Sequence, residues 1–398
     1  MSASAHPDRK RWLILFLLFL SIAVNLLDRQ VLSVLSIDIR AQFSLSAQQY
    51  SYIVTAFLIG LTLAQVPAGL FLDRRGPRIG LPVIMAIWSL FNGLHAVARS
   101  LWQFCAFRFL MGVGECGNYS AGVKVISQWF PAKERALAGG LFNSGTVLGS
   151  FIAPAIIILI SRWWGWQMAF VIPSLLGLLW MIPWLMFYEE RSPQGGSAVR
   201  EPFLPLLSQR KVWGAMLMRA LAGPVVHFYW YWLPAYLQQE RHFDKADIAA
   251  FAGIPSLFAG LGNIAGGWFA GWLMSRGFSL DRSRKTAFVV SIALAATSVI
   301  VPIAPGRILP LALICLATFG LAISVANHIG LLGDLFASSK LAAVTGLTGL
   351  CEGVVNIGVQ LTTGYVVDHF GFGPIFAAAG LMPALAVVCL FVLIRRVE

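Results

Sequence analysis

The stretch FRFLMGVGECGNYS, residues 107–120, has three readings, and the choice among them decides the fold. Its Gly112-Val-Gly114-Glu115-Cys-Gly117 segment has the form G-x-G-x-x-G, a dinucleotide fingerprint, and Asn118-Tyr119-Ser120 has the form of a glycosylation acceptor. A fingerprint must follow a strand and open a helix inside a βαβ unit. This one lies within a long apolar run of helical character, and the acceptor pattern is buried in the same run. The third reading is that the glycines let helices approach one another inside a membrane, where small residues dominate helix contacts.

The rest of the chain supports that third reading. Of 398 residues, 58% are hydrophobic and 12% charged, with a mean hydropathy of +0.77. A soluble domain carries about a quarter charged residues. Apolar runs of about 20 residues, the length that crosses a bilayer core, recur along the whole sequence. They lie near 12–38, 49–71, 79–98, 101–129, 135–160 and 166–188, then near 211–238, 246–273, 286–304, 308–335, 341–367 and 372–394. The expected fold is an all-α membrane protein with twelve transmembrane helices. The first run is too long for a cleaved signal peptide, and no small-residue cleavage site follows it. The five cysteines all fall in apolar runs without a C-x-x-C, which argues for packing and against a metal site or a disulfide frame.

The net charge of +12 invites a nucleic-acid reading, but the charge is laid out by side. With the N-terminus inside, the inner connections and both tails hold most of the 29 basic residues, in clusters such as Arg9-Lys10-Arg11, Arg74-Arg75 and Arg395-Arg396. The opposite side keeps only Arg40, Arg99, Arg162, Arg241, Lys245 and Arg307. This is the positive-inside asymmetry, with both termini cytoplasmic. It needs no nucleic acid.

The chain also repeats itself. PAKERALAGGLF at 131–142 lies 206 residues before ASSKLAAVTGLT, and the same offset pairs RWWGWQMAF at 162–170 with DHFGFGPIF. Gly69 of GLFLDRRGPR pairs with Gly267 of GWFAGWLMSRG. A duplicated six-span unit is a common transporter plan. The expected organisation is a six-helix bundle over 1–188, a cytoplasmic linker over 189–210 that includes the polar EERSPQGGSAVREP, and a pseudo-symmetric six-helix bundle over 211–398.

Spans 1 and 4 carry Asp28, Arg29, Arg108 and Glu115. An unpaired charge at mid-bilayer costs at least about 2.5–3.5 kcal/mol on insertion scales, which makes such groups functional candidates. At a rise of ~1.5 Å per residue, Arg29 lies roughly 14 Å from the outer end of span 1, with Arg108 roughly 10 Å and Glu115 roughly 21 Å into span 4. Arg108, Gly112, Glu115 and Tyr119 follow 4-3-4 spacing and form one stripe. Two readings stay open. Either these charges neutralise one another and lock span 1 to span 4, or they divide transport labour. In the second case arginine is a permanent cation whose planar fork fits a carboxylate. A buried Asp or Glu instead titrates, because burial favours its neutral form and nearby arginines its charged form.

Further polar groups interrupt the apolar spans. Asn25 lies one turn before Arg29 and is a candidate substrate ligand. The aromatic run at 227–232 suits either a sugar-like ring or an outer aromatic belt, and Tyr229 is the candidate ligand within it. Asn327 and His328 in span 10 suit substrate binding, proton relay or hydrogen-bonded packing. Glu352, Asn356 and Gln360 repeat every fourth residue in span 11 and form a polar stripe, expected to face a cavity. Lys124 and Arg219 lie nearer the cytoplasmic ends and are expected to snorkel. Asp334 is expected to gate or cap the end of span 10.

Gly69-x-x-x-Asp73-Arg74-x-Gly76-x-Arg78 resembles the signature loop of the major facilitator superfamily, a conformational latch rather than a substrate site. Pro77 stands where an arginine is usual, and the second copy has Gly271 in place of the acid. DRQ in span 1, RFLMGVGE, the block at 118–145 and FYWYWLPAYLQQERHF together resemble the anion:cation symporter branch, and within it the hexuronate and sugar-acid proton symporters of bacterial inner membranes. The resemblance implies an Asp28–Arg29 pair in span 1 whose arginine holds an imported carboxylate; Asn25, Arg108, Tyr229, Asn327, His328 and Asn356 are further candidate substrate ligands read from the residues themselves. It implies that the acids Asp28 and Glu115 couple protons; Glu352, an acid not expected in the hexuronate group, is a further candidate for proton coupling, and Ser120 stands where many relatives have proline. No cofactor and no metal are implied; the partners are an organic anion, protons and lipids, with the chain acting as a monomer. An anion exchanger without obligatory proton coupling is the alternative. An enzyme is disfavoured by the lack of H-E-x-x-H, nucleophile elbow or P-loop motifs.

Overall fold

The structure, a computed structural model, describes residues 8–191, 204–394 and 396. Residues 192–203 of the expected linker lie outside the described residues. The chain divides into two compact units, Met1–Phe43 with Ile53–Ser197, and Ser44–Tyr52 with Ala198–Glu398.

The first unit contains α1 (Asp8–Val34), α2 (Ser36–Phe43), α3 (Ala47–Leu94, its opening residues counted with the second unit), α4 (Leu101–Glu115), α5 (Gly117–Trp129), α6 (Ala132–Trp164) and α7 (Trp166–Phe187). Helix α3 holds two spans, parted at Gly76, whose φ of 70° and ψ of 162° leave the helical region. The run expected as one span over 101–129 is divided at Cys116, although the backbone there stays near helical angles. The second unit contains α8 (Arg210–Gln239), α9 (Lys245–Phe251), α10 (Ile254–Ser275), α11 (Leu280–Ala295), α12 (Ile308–Leu335), α13 (Ser338–Phe370) and α14 (Gly373–Cys389). Nine helical stretches among the described residues are long and apolar enough to cross a membrane. One of them is the doubled α3, and α4 with α5 and α8 complete the twelve transmembrane helices.

The duplication read from the sequence recurs in the packing. Span 1 packs on span 5 as α1 on α6, and its counterpart span 7 packs on span 11 as α8 on α13. Each of those leading spans is followed by a short helix, α2 or α9. Spans 5 and 11 both end at a glycine in the left-handed region, Gly165 at φ 85° and Gly371 at φ 72°, which explains the matched RWWGW and DHFGF segments.

Backbone contact replaces side-chain contact at the helix crossings. A Cβ on Gly112 would lie 2.3 Å from the Phe57 carbonyl oxygen of α3, and one on Gly114 would lie 2.6 Å from the Trp88 nitrogen. In the second unit the same device brings α10 to α12, where a Cβ on Gly262 would lie 2.3 Å from the Phe319 carbonyl oxygen. Gly69 is different: nothing lies within 4 Å of a Cβ built there, so it is not a packing glycine in this conformation.

These crossings yield a direct test. Gly112→Ala is expected to lower the thermal stability of the detergent-solubilised protein, because a backbone oxygen cannot yield as a side chain does. Gly139→Ala, where a Cβ meets open space, is expected to be neutral or stabilising by up to about 1 kcal/mol, the helix preference for alanine. Equal melting temperatures for the two variants would contradict the close-approach account.

Candidate functional site

In the first unit the polar face of α1 turns inward. Ser21, Asn25 and Asp28 are all essentially buried, and Ser21 donates to Asn118 Oδ1 of α5 at 3.2 Å. Arg29 is the next residue along the helix, so its side chain leaves in another direction and meets α4. Its Nε donates to Glu115 Oε2 at 2.5 Å, with 19% of the Arg29 side chain exposed and none of Glu115. Arg108 lies beneath the pair, 2% exposed, and its Nη2 donates to the Arg29 carbonyl at 3.0 Å. Both guanidinium carbons sit over the Phe57 ring of α3, at 5.3 Å for Arg29 and 5.5 Å for Arg108. Two cations over one aromatic ring are each attracted to it, while the carboxylate offsets their mutual repulsion. Asn25 is close enough to act on the charge of Glu115. By hydrogen-bond geometry, however, Glu115 Oε1 and Asn25 Nδ2 are both buried without a partner.

Trp88 Nε1 donates to Asp28 Oδ2 at 3.2 Å and Asn92 Nδ2 to Asp28 Oδ1 at 2.8 Å, both from the second span of α3. Asn92 is steadied in turn by Ser174 Oγ at 3.1 Å. One turn on, His95 stacks on Phe170 with centroids 5.1 Å apart, and its Nδ1 donates to the Phe91 carbonyl at 2.7 Å. Its Nε2 is buried without a partner. Trp88, Asn92 and His95 were not singled out from the sequence, although their 4-3 spacing in an otherwise apolar span is a readable signal. Tyr119 completes the expected stripe only in part: it is 50% exposed and lies against Phe142, while Arg108, Gly112 and Glu115 are buried.

The loop between the spans of α3 makes its own contacts. Lys124 does more than snorkel; its Nζ donates to the Leu72 carbonyl at 2.9 Å and to Asp73 Oδ1 at 3.2 Å. The Arg78 backbone N–H donates to Glu190 at 3.2 Å, and the same carboxylate fills the space a Cβ on Gly76 would take. Arg74 is exposed.

In the second unit the sequence candidates are placed as follows. Tyr229 is 4% exposed and its hydroxyl shares a 2.7 Å hydrogen bond with Ser298. Asn327 donates to the carbonyls of Gly266 at 3.1 Å and Ile323 at 3.0 Å, and accepts from Arg284, which also pairs with Asp334 at 2.7 Å. The polar stripe of α13 packs on α8: Trp232 Nε1 donates to Gln360 at 2.8 Å and Gln360 donates to Asn356 at 3.1 Å. Glu352 meets Arg219, again at 2.5 Å. His328 is 4% exposed with its Nε2 unpartnered. Among the described residues, no group of three His, Cys, Asp or Glu side chains could hold a metal ion.

The arrangement is that of a membrane bundle with charges in its interior, and comparison with known proteins agrees. Over 98% of both chains, the fold matches a bacterial homolog of the human lysosomal transporter Spinster, solved in an inward-facing and occupied conformation, with a TM-score of 0.81 at 18% identity. A D-xylose-proton symporter matches with a TM-score of 0.76 at 15% identity, over 96% of this chain and 97% of that one. In sequence, the chain is 30% identical to the hexuronate transporter of Escherichia coli (strain K12), across 97% of this chain and 94% of that protein. It is 34% identical to the galacturonate transporter of Dickeya chrysanthemi, across 65% and 81%. The family model described as Major Facilitator Superfamily matches residues 18–359. With the repeated six-span unit and the interior charges, these matches place the chain in the major facilitator superfamily, as a multi-pass membrane transporter and not an enzyme.

Proposed function

We propose that this transporter carries a hexuronate or a related sugar acid into a bacterial cell across the cytoplasmic membrane, coupled to protons by alternating access, with both termini cytoplasmic. The observation that carries the reading is the Arg29–Glu115 pair: a part-exposed guanidinium backed by a buried carboxylate with one oxygen unpartnered. The sugar-acid relatives support the substrate class.

The chemistry follows from the pair. While Glu115 is ionised it holds Arg29, and the site is electrically satisfied without substrate. A proton on Glu115 removes its charge, and the guanidinium then has the stronger attraction for a substrate carboxylate. One proton and one carboxylate enter together, so the net charge inside the unit does not change. That equality matters where each unpaired charge is expensive. Arg108 fixes the backbone of Arg29 and shares Phe57 with it, so we assign it to positioning the cation. Asn25, with an unpartnered Nδ2 beside Glu115, is the nearest further substrate ligand. The Asp28 carboxylate accepts from the neutral donors Trp88 and Asn92 and is assigned as a second proton site. The hydrogen bond of Tyr229 to Ser298 and the three of Asn327 fit a packing role better than contact with substrate.

Two substitutions test this. Arg29→Lys keeps the charge and loses the planar fork. Losing a hydrogen bond to a charged group is worth about 1.5–3 kcal/mol, so uptake affinity is expected to fall about tenfold to a hundredfold with folding retained. Near-normal affinity would remove Arg29 from the substrate role. Glu115→Gln mimics the protonated acid, so substrate counterflow is expected to survive while proton-driven accumulation fails. Undiminished accumulation would pass the coupling role to another acid, and an exchanger without obligatory protons would show no proton-driven accumulation even in the unchanged protein.

A further inference from the structure

Asp28 is fully buried, and a buried acid that takes and releases a proton needs different neighbours in its two states. An ionised carboxylate only accepts hydrogen bonds, whereas a protonated one carries an O–H that must find an acceptor. Trp88 Nε1, 3.2 Å from Oδ2, can only donate. Asn92 is different, because its amide carries a donor at one end and an acceptor at the other. Its Nδ2 donates to Asp28 Oδ1 at 2.8 Å, and lies 3.1 Å from Ser174 Oγ and 3.3 Å from the Phe170 carbonyl of α7. Its Oδ1 is buried without a partner. An unused acceptor thus sits on a side chain that already touches the acid.

The surroundings leave that amide one freedom. Asn92 is fully buried where the second span of α3 crosses α7. A Cβ on Gly93 would lie 3.4 Å from Ser174 Oγ, and one on Gly177 would lie 2.3 Å from Ser89 Oγ, so the helices are too close for the side chain to swing out. Turning over about its terminal bond, a soft two-fold torsion, exchanges oxygen for nitrogen in nearly the same volume. The charges around Asp28 do not offer its proton such an acceptor by the same small motion. Glu115 and Arg108 of α4 act on it through space, and Arg29 leaves α1 toward Glu115. Helix α7 carries no ionisable side chain, and those of α6 lie in its first and last turns. On α5, Lys124 is turned to Leu72 and Asp73, and Tyr119 to Phe142. Asp38 and Arg40 of α2 are more than two turns on, and His95 directs Nδ1 to the Phe91 carbonyl.

We infer that Asn92 is a positioning residue that reads the proton on Asp28: its amide turns over when the acid is protonated and passes the change to Ser174 of α7. The inference rests on the assignment of Asp28 as a proton site. A proton from solution goes onto Asp28 Oδ1, and the Asn92 Nδ2–H bond to that oxygen breaks. The amide turns, and the new Asp28 O–H donates to Asn92 Oδ1. That oxygen then also faces Ser174, whose hydroxyl hydrogen swings to it from the Phe170 carbonyl, its present acceptor at 2.8 Å. Loss of the proton reverses each step.

The test is infrared difference spectroscopy of the full-length purified protein between alkaline and acidic pH, with asparagine isotopically labelled at its side-chain carbonyl carbon. A carbonyl that accepts a hydrogen bond stretches at lower frequency, so the labelled band reports whether Asn92 Oδ1 is bonded. Asp28→Leu identifies the carboxylic-acid band of Asp28, and Asn92→Leu identifies the asparagine band. If Asn92→Leu does not fold, Asn92→Gln removes the label and keeps an amide. On acidification the Asn92 band is expected to move to lower frequency with the midpoint at which the Asp28 acid band appears, and to stay still in Asp28→Leu. Ser174→Ala, which removes the second donor, is expected to shrink the downshift while the two midpoints stay equal. An Asp28 band that titrates beside a motionless Asn92 band overturns the inference and leaves Asp28 as a proton site. A downshift of full size in Ser174→Ala overturns the step to α7. Absence of any titrating Asp28 band overturns both the inference and the assignment on which it rests.

Discussion

A charge inside a bilayer must be paired, and the Arg29–Glu115 contact is where this molecule meets that requirement most tightly. Removing one partner of a buried pair is far more costly than the pair itself is stabilising, on the order of 3–5 kcal/mol, because the remaining charge is left without water. The pair is therefore weak as an argument for stability and strong as an argument for exchange. It persists only while something negative faces Arg29, whether the protein's own carboxylate or one brought from outside.

Much of the first unit serves to hold that contact in place. Gly112 and Gly114 bring α4 against the backbone of α3 at Phe57 and Trp88. Those same two residues then act at the site, Phe57 as the aromatic floor for both guanidiniums and Trp88 as a donor to Asp28. The packing that closes the bundle and the chemistry that defines the site thus use one set of crossings. The second unit repeats the scaffold with a different charge placement, pairing span 7 with span 11 through Arg219 and Glu352. Gly223 there performs the service for an acid that Gly112 performs for a backbone.

The fold was legible in the sequence because hydropathy, side-to-side charge bias and the internal repeat are properties of the chain itself. Arg29 and Glu115 were legible for a related reason: a charge in an apolar span announces itself. Partners were harder. Asp28 and Arg29 are adjacent in sequence and read together as a pair, yet successive helical residues point about 100° apart, so one meets Trp88 and Asn92 and the other Glu115. Arg219 read as a snorkelling cation because only the tertiary fold reveals the glycine gap that admits Glu352. Lys124 was misread likewise, its partners Leu72 and Asp73 being remote in sequence. Gly69 was placed in the latch loop by resemblance, and nothing lies within 4 Å of a Cβ built there.

The central claim is that a substrate carboxylate and a proton replace one another's charge at Arg29 and Glu115. The most direct measurement is proton uptake on substrate binding, followed with a pH indicator in weakly buffered, detergent-solubilised protein as a hexuronate is added. The account predicts that solution protons are taken up in proportion to substrate bound, until the site is saturated. Saturable binding with no change in free proton concentration would contradict it.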